Sequence, residues 1–419
     1  MNRRQGREPE ERCERAELRV LIVERDAHRR LGHYPVRFAS LARLFVELGC
    51  DVDVLTQQGW AFADVESDVP FRVHRYGQAV GWLDRAARTA RTSTRDRAYR
   101  RRSRWARKGA QFVEYVADVC SSALAAIAVR QWTRANDAPD LVFVLTYSSV
   151  PTVFAALAGD VPLLVYVFTP PLRRLQRIDD AIRRRPSRLE RLHVATGNAA
   201  LARAWAERLP DVPVEVRQIT GMQPAGDFEE RDAARRRARE RLGLPGDARV
   251  FLLFGAGHAQ QRPEVVERAF RRPELADVRL VVGGAISDRF HAPEEVAALV
   301  VKGYVSNEQR NELFAAADAI VLSFRDGYGR ESGSFADAVS HALPVVVSRG
   351  CLAADVAERL GIGVVFEPDD EDSLVDAIGR VPVRLDDTIV ERALAELGEG
   401  SAARRLLEVA TTDWDPSDH

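Results

Sequence analysis

Residues 318–348 read DAIVLSFRDGYGRESGSFADAVSHALPVVVS, and the fold is legible in their order. An apolar run, Ala319 to Leu322, leads into a polar, glycine-bearing loop, then a helix-like segment, then a second β-rich run at 344–347. Strand, loop, helix and strand in this order make the repeating unit of a parallel sheet. Glu331, Ser332, Gly333 and Ser334 fall at the loop-to-helix junction, with Asp337 one turn further in. A helix that opens at the carboxyl end of a parallel strand presents unpaired N–H groups and the positive end of its dipole, which suits a phosphate or another anion.

The alternation extends upstream and downstream of this stretch. Strands are predicted at 250–254, 278–282, 300–305 and 363–366, with helical segments between them. The turn after 250–254 reads Gly255-Ala256-Gly257-His258 and invites a dinucleotide reading, but Gln260 stands where the third glycine of that fingerprint would be. Ser306 is positioned to cap the helix that contains Leu313 and Phe314.

The first half repeats the theme. A strand at 18–23 runs into a polar loop through Asp26, His28, Gly32, His33 and Tyr34. Phe38, Leu41, Leu44, Phe45 and Leu48 then recur at helical spacing, and Gly49 ends the helix before a strand at 51–55. Further strands are predicted at 141–145, 163–168, 193–196 and 214–219. The fold class is therefore α/β, two doubly wound, Rossmann-like domains facing a cleft, with ligands beyond the carboxyl ends of the strands. The division expected is a disordered tail at 1–16, a first domain at 17–222, a linker at 223–247, a second domain at 248–383, and a helical segment at 384–419 that packs back on the first domain.

Composition excludes several classes. At 419 residues two domains are the expectation, and 46% hydrophobic with 29% charged residues is a globular balance. The 61 basic residues against 62 acidic leave a net charge of −1, which argues against a nucleic-acid binder. Cys13, Cys50, Cys120 and Cys351 are far apart, form no CxxC pair, and read as reduced, mostly buried thiols. The first sixteen residues are dense in Arg and Glu and lack the apolar run of a secretory signal, so a cytoplasmic location is expected. Residues 112–129 are the most apolar helical stretch, but Glu114 and Asp118 interrupt them, and a buried or amphipathic helix is predicted.

Residues 84–108 carry ten arginines and Lys108 against only Asp84 and Asp96. Such a run ordinarily marks a solvated insertion. Its functional reading is contact with an anionic acceptor or with the inner face of a membrane. Asp51-Val52-Asp53 has the form of a metal-binding DxD, yet on a strand both aspartates point to one polar face, solvent or rim. No calcium-loop spacing occurs among the acidic residues at 367–372. No metal or other cofactor is expected.

The second half resembles the carboxyl-terminal domain of the group 1 glycosyltransferases, also called glycosyltransferase family 4, of GT-B fold. The signals are ordered: Phe254-Gly255 followed by Arg262, Val281-Val282-Gly283-Gly284, Gly303-Tyr304-Val305-Ser306-Asn307-Glu308, Ala316-Ala317-Asp318-Ala319, the Ser-Gly-Ser element, and Leu343-Pro344-Val345-Val346. They span about 250 to 380, whereas 18–222 fits only as a generic pattern, with Gly32-His33 where the family often has a glycine-rich loop. The resemblance implies sugar transfer from a nucleoside-diphosphate sugar to an acceptor, with retention at the anomeric carbon.

On that basis Tyr304 and Val305 would cradle the base, the N–H groups of Ser332, Gly333 and Ser334 the diphosphate, and Asp337 the ribose hydroxyls. Arg262 would neutralise phosphate charge, Glu331 would bind the donor sugar, and Gly32, Gly255 and His258 complete the donor site. His33 or His28 would orient donor or acceptor. His33, Arg262 and Glu331 are thus the expected catalytic residues. The family usually has two glutamates eight positions apart, and here Gly329 and Asp337 hold those places. Its usual arginine and lysine after the domain's first strand are replaced by Ala256 and Gln261, leaving Arg262 as the basic residue. The base (UDP, GDP or dTDP), the acceptor and the oligomeric state stay open. The competing readings are a catalytically degenerate, glycosyltransferase-like binding subunit and a nucleotide-sugar epimerase of the same fold.

Overall fold

Two all-parallel sheets organise the chain. In the computed structural model, residues 18–24, 34–56, 70–76, 104–146, 150–168, 171, 176–216, 228–257, 259–291, 298–303, 305–329 and 332–411 are described. The first sheet contains β1 (Arg19–Glu24), β2 (Asp51–Thr56), β3 (Arg72–Arg75), β4 (Leu141–Thr146), β5 (Leu163–Val167), β6 (Leu192–Thr196) and β7 (Val214–Val216), in the order β3-β2-β1-β4-β5-β6-β7. The second contains β8 (Arg249–Phe254), β9 (Val278–Gly283), β10 (Ala298–Val301), β11 (Ala319–Leu322), β12 (Val345–Ser348) and β13 (Gly363–Phe366), in the order β10-β9-β8-β11-β12-β13.

Both orders start at an inner strand, run outward, and then jump to its other side. That doubly wound pattern reverses between β1 and β4 and again between β8 and β11, and each reversal opens a crevice at the carboxyl ends of the strands. Continuous apolar runs explain the strands. Leu141 to Val144 in β4 and Val345 to Val347 in β12 are wholly buried, as a parallel sheet covered on both faces requires. On the second sheet, alternate residues feed two cores. Leu252, Phe254, Ile320 and Val345 face the helices Asn307–Ala316, Gly333–Ser340 and Leu352–Leu360. Phe251, Leu253, Val321 and Val346 face Pro263–Ala269 and Glu371–Arg380.

Strand β3 has no apolar run to announce it. It forms at the sheet edge because Arg72 and His74 satisfy the aspartates of β2. Arg72 donates from Nε and Nη2 to the two oxygens of Asp53, each at 2.8 Å, and from Nη2 to Asp51 at 2.7 Å, while His74 Nε2 lies 2.6 Å from Asp53 Oδ1. Asp53 is only 3% exposed, so it faces neither solvent nor an open rim. Burial raises its proton affinity, but the hydrogen bonds from Arg72 and His74 prevail and hold its pKa below the usual carboxylate value.

Residues 223–247 include the helix Phe228–Leu242, which packs against Asn307–Ala316. Its Arg239 is 2% exposed and saturated, donating to the carbonyls of Ala316, Gly246 and Ala248 and to Asp318 Oδ2. Those bonds make the helix part of the second domain. At the far end, the helix Asp387–Leu397 buries Val390, Ala393 and Leu397 in the second domain's core. The chain then crosses at Gly398, and Glu399–Thr411 buries Ala403, Leu406 and Leu407 beside Leu41 and Phe45 of the first domain.

Cys50 and Cys351 are buried, and burial pushes both thiols up to about 11; Cys120, by contrast, is exposed. Among the described residues, no helix is long and apolar enough to cross a membrane. The basic run 84–108 lies outside the described residues except for the backbone that starts the helix Arg104–Ala135.

Candidate active site

The crevice between β8 and β11 is built from two loops that are stitched together. After β8 the chain returns through Gln260, Gln261 and Arg262; after β11 it leaves through Ser323, Phe324 and Arg325. The Arg262 N–H donates to the Ser323 carbonyl at 2.9 Å, Ser323 Oγ donates to the Arg262 carbonyl at 2.8 Å, and the Arg325 N–H donates to the Gln260 carbonyl at 2.9 Å. An antiparallel bridge joins Gln261 to Phe324 at the centre of this seam.

The glycine turn after β8 is not an open cradle. The Gln261 side-chain amide lies 2.0 Å from where a β-carbon on Gly255 would stand. Gly255 is buried, its N–H donates to the Gly283 carbonyl at 3.3 Å, and its carbonyl accepts from the Ile286 N–H at 3.0 Å. Gly257 has a φ of +66°, and a β-carbon there would meet the Ala285 carbonyl oxygen at 2.7 Å. Expected as a donor contact, Gly255 instead gives Gln261 room to pack.

The helix Gly333–Ser340 opens over the end of β8. Ser332 is its N-cap, with Oγ accepting from the Phe335 N–H at 3.2 Å, and Ser334 Oγ donates to the Phe254 carbonyl at 3.2 Å. The Ala336 N–H goes to the Ser332 carbonyl at 3.1 Å. Among the described residues, the N–H groups of Gly333 and Ser334 therefore remain as the helix's open donors, and no acidic residue occupies the first turn.

Asp337, one turn in, lies 4.0 Å from Arg310 Nη1 on the helix Asn307–Ala316. That helix starts at Ser306, whose side chain and that of Gln309 form a capping box, and it follows half-buried Val305 directly. At the carboxyl end of Gly333–Ser340, His341 packs against Phe314 with ring centroids 5.4 Å apart. Burial, with a smaller contribution from Arg310, lowers the His341 pKa to about 4 against the attraction of Asp337.

Arg262 lies at the start of another helix. It precedes Pro263–Ala269, on the opposite face of the sheet, and its Nε donates to Asp369 Oδ1 at 2.6 Å in the loop after β13. The hydrogen bond to Asp369 raises its pKa. Arg262 is thus joined to Asp369 in a partly exposed ion pair between the loops after β8 and β13. The structure gathers Ser332, Gly333, Ser334 and Asp337 on one helix, with Val305 leading into the helix that faces it. Gly32, His33, His258, Tyr304 and Glu331 lie outside the described residues, as does His28. Among the described residues, no group of three or more His, Cys, Asp or Glu side chains is placed to hold a metal ion.

Two further polar residues shape this site, and of these Asn198 carries no functional signal in the sequence. Gln261 occupies the position of the usual lysine and turns inward. Asn198, at the end of β6 in the first domain, donates from Nδ2 to the Gly329 carbonyl at 2.7 Å in the loop after β11. Its place between a strand and a helix marks it as an N-cap, but no local signal points to its partner 131 residues away.

Residues 248–381 match the family model of the glycosyl transferases group 1. The second domain is similar to the group 1 glycosyltransferases. The match runs from the start of β8 through the helix Glu371–Arg380 and contains the whole crevice just described. No protein of curated function matches the chain in sequence. Solved structures match it along nearly all its length.

A sucrose-phosphate synthase from Thermosynechococcus elongatus aligns with a TM-score of 0.61 at 12% identity, covering 94% of this chain and 98% of that one. A glycosyltransferase from Rickettsia africae gives 0.62 at 12%, covering 94% and 98%. A UDP-forming α,α-trehalose-phosphate synthase from Burkholderia xenovorans, solved with glucose-6-phosphate, gives 0.61 at 14%, covering 94% and 99%. At these identities the likeness is one of fold, and it extends to both sheets, which together have the GT-B architecture.

Proposed function

We propose that this protein transfers a sugar from a nucleoside-diphosphate sugar to an acceptor, with retention of anomeric configuration and without a metal. The observation that carries the reading is the helix start at Ser332–Ser334, with two open N–H donors and no competing carboxylate in its first turn, inside a domain similar to the group 1 glycosyltransferases. Cleaving a sugar–phosphate bond builds negative charge on the leaving diphosphate. Preorganised N–H donors and a helix dipole stabilise that charge in the transition state. Asp337 is assigned to the ribose hydroxyls and Val305, with Tyr304, to the base. Glu331 is assigned to the donor sugar, and His33 to orienting the reacting groups.

Metal independence is supported by the fate of the DxD aspartates, which are occupied by Arg72 and His74. The trehalose-phosphate synthase bound to glucose-6-phosphate makes sugar phosphates a first acceptor class to try, beside lipid-linked and polysaccharide acceptors.

A second reading, a glycosyltransferase-like subunit that binds nucleotide without turnover, is favoured by one observation: Arg262, the basic residue left in its loop, is engaged by Asp369. Both readings predict nucleoside-diphosphate binding, so the experiment pairs a thermal-shift screen against UDP, GDP, ADP and dTDP with a transfer and hydrolysis assay over a nucleotide-sugar panel, with and without EDTA. Stabilisation by one nucleotide together with EDTA-insensitive turnover is the expected result. Binding without turnover would establish the second reading. Neither binding nor turnover would remove both.

A further inference from the structure

Residues 324–329, in the loop that follows β11, are fastened at several points, and among the described residues the fastening furthest along the chain comes from the other domain. The Phe324 N–H donates to Ser348 Oγ at 2.8 Å, the Phe324 and Tyr328 rings stack with centroids 4.3 Å apart and planes 6° from parallel, and the Gly327 N–H donates to the Gly350 carbonyl at 3.0 Å. All of these partners belong to the second domain. Gly329 differs, because its carbonyl accepts from Asn198 Nδ2 of the first domain at 2.7 Å.

Asn198 has two tasks, and only its residue type meets both. It is 6% exposed and caps the helix Ala199–Arg208, its Oδ1 accepting from the Leu201 N–H at 2.8 Å. Ser and Asp cap helix starts as well as Asn does. Neither can supply the cross-domain bond: Ser is shorter, and an ionised Asp has only acceptor oxygens to offer to a carbonyl. The local demand for a cap therefore leaves the choice among these residues open, and the bond to Gly329 decides it. At Gly329 itself, no described residue beyond its chain neighbours has a heavy atom within 4 Å of where a β-carbon would stand, so among the described residues the loop is held there by its carbonyl.

We infer that Asn198 is a cross-domain positioning residue. From the first domain it fixes the Gly329 carbonyl, three positions before the Ser332 cap and close in sequence to the open N–H groups of Gly333 and Ser334. Its role in transfer rests on the function proposed above, while the tether itself does not. Because the nucleotide would sit wholly on the second domain, losing the tether should spare nucleotide affinity and slow the step that needs both domains in register.

The test uses Asn198→Ser, which keeps the cap, with Asn198→Asp as a second variant in case the first fails to fold. Hydrogen exchange of the 326–335 segment, which requires no substrate, should quicken about tenfold in the variant, the loss of one hydrogen bond. The melting temperature should stay within about 2 °C, because the cap is retained. Nucleoside-diphosphate Kd should stay within about twofold and kcat should fall about tenfold. Unchanged exchange, or unchanged kcat with exchange accelerated, would overturn the inference. So would a parallel fall of melting temperature, affinity and kcat, which marks a merely structural residue. If the native chain turns over no nucleotide sugar, the proposed function is what fails, and the exchange measurement alone decides the tether.

Discussion

Two helices open at the carboxyl rim of the second sheet beside the same switch point, one on each face, and their first turns differ in every respect that matters to an anion. Pro263–Ala269 begins with a residue that has no N–H, carries Glu264 in its first turn, and has no side-chain cap. Gly333–Ser340 begins with glycine, has no acid in its first turn, and is capped by Ser332, which consumes the third N–H and leaves the first two. The first start is closed by its own chemistry; the second is left open. Arg262 belongs to the closed one, where Asp369 already accepts its Nε–H. A positive side chain near a switch point is therefore poor evidence of an anion site, and an acid-free, proline-free first turn is better evidence.

The helices also end differently, and this gives the largest effect predicted for the contrast. Pro263–Ala269 ends at buried Phe270, whereas Gly333–Ser340 ends at His341, whose pKa burial lowers to about 4. The folded protein refuses a proton that the unfolded chain accepts below its ordinary pKa of about 6.5. Stability is thus intact above about pH 6.5, declines as pH falls toward 4, and changes no further from this group below that; the loss reaches up to about 3 kcal/mol. Urea unfolding between pH 4 and 7 measures it. His341→Phe, which preserves the packing on Phe314, should flatten the profile over that window, and an unchanged slope would assign the acid sensitivity elsewhere.

A smaller effect follows from the caps. Ser332→Ala removes the side-chain acceptor of the Phe335 N–H and should cost about 1 kcal/mol in urea unfolding. Arg262→Ala is the smallest: its pair with Asp369 is partly exposed, so the loss should stay within about 1 kcal/mol, and nucleoside-diphosphate affinity should change less than about twofold. A tenfold loss of affinity in that variant would return Arg262 to the phosphate site and collapse the contrast between the two helices.

Much of the architecture was legible in the residues, because burial on both faces of a parallel sheet demands continuous apolar runs. Strands β4, β8, β11 and β13 could be read from such runs to within a residue or two. Strand β3 could not, since Arg72 and His74 form it through side-chain hydrogen bonds with residues some twenty positions earlier. The helix start at Ser332–Ser334 was legible for a local reason: cap and glycine are neighbours in sequence. The direction of Arg262 and the reach of Asn198 were not, because each is decided by a partner more than a hundred residues away, Asp369 for one and Gly329 for the other. Gln261 marks the same boundary, a polar residue whose inward turn depends on the empty space at Gly255.

The central claim is that the diphosphate is held by the open N–H groups of the second helix start, and Gly333→Pro tests it most directly. Proline is tolerated at a first helical position, and Ser332 already has the extended φ of −105° and ψ of 118° that a following proline prefers, so the fold should survive. The substitution deletes one donor and gives this helix the start that Pro263 gives the other. Calorimetric titration with the nucleoside diphosphate that stabilises the native chain should show affinity reduced by about ten- to a hundredfold, the worth of one hydrogen bond to a charged group, with the melting temperature unchanged. Affinity within twofold of native in a folded Gly333→Pro protein would contradict the account.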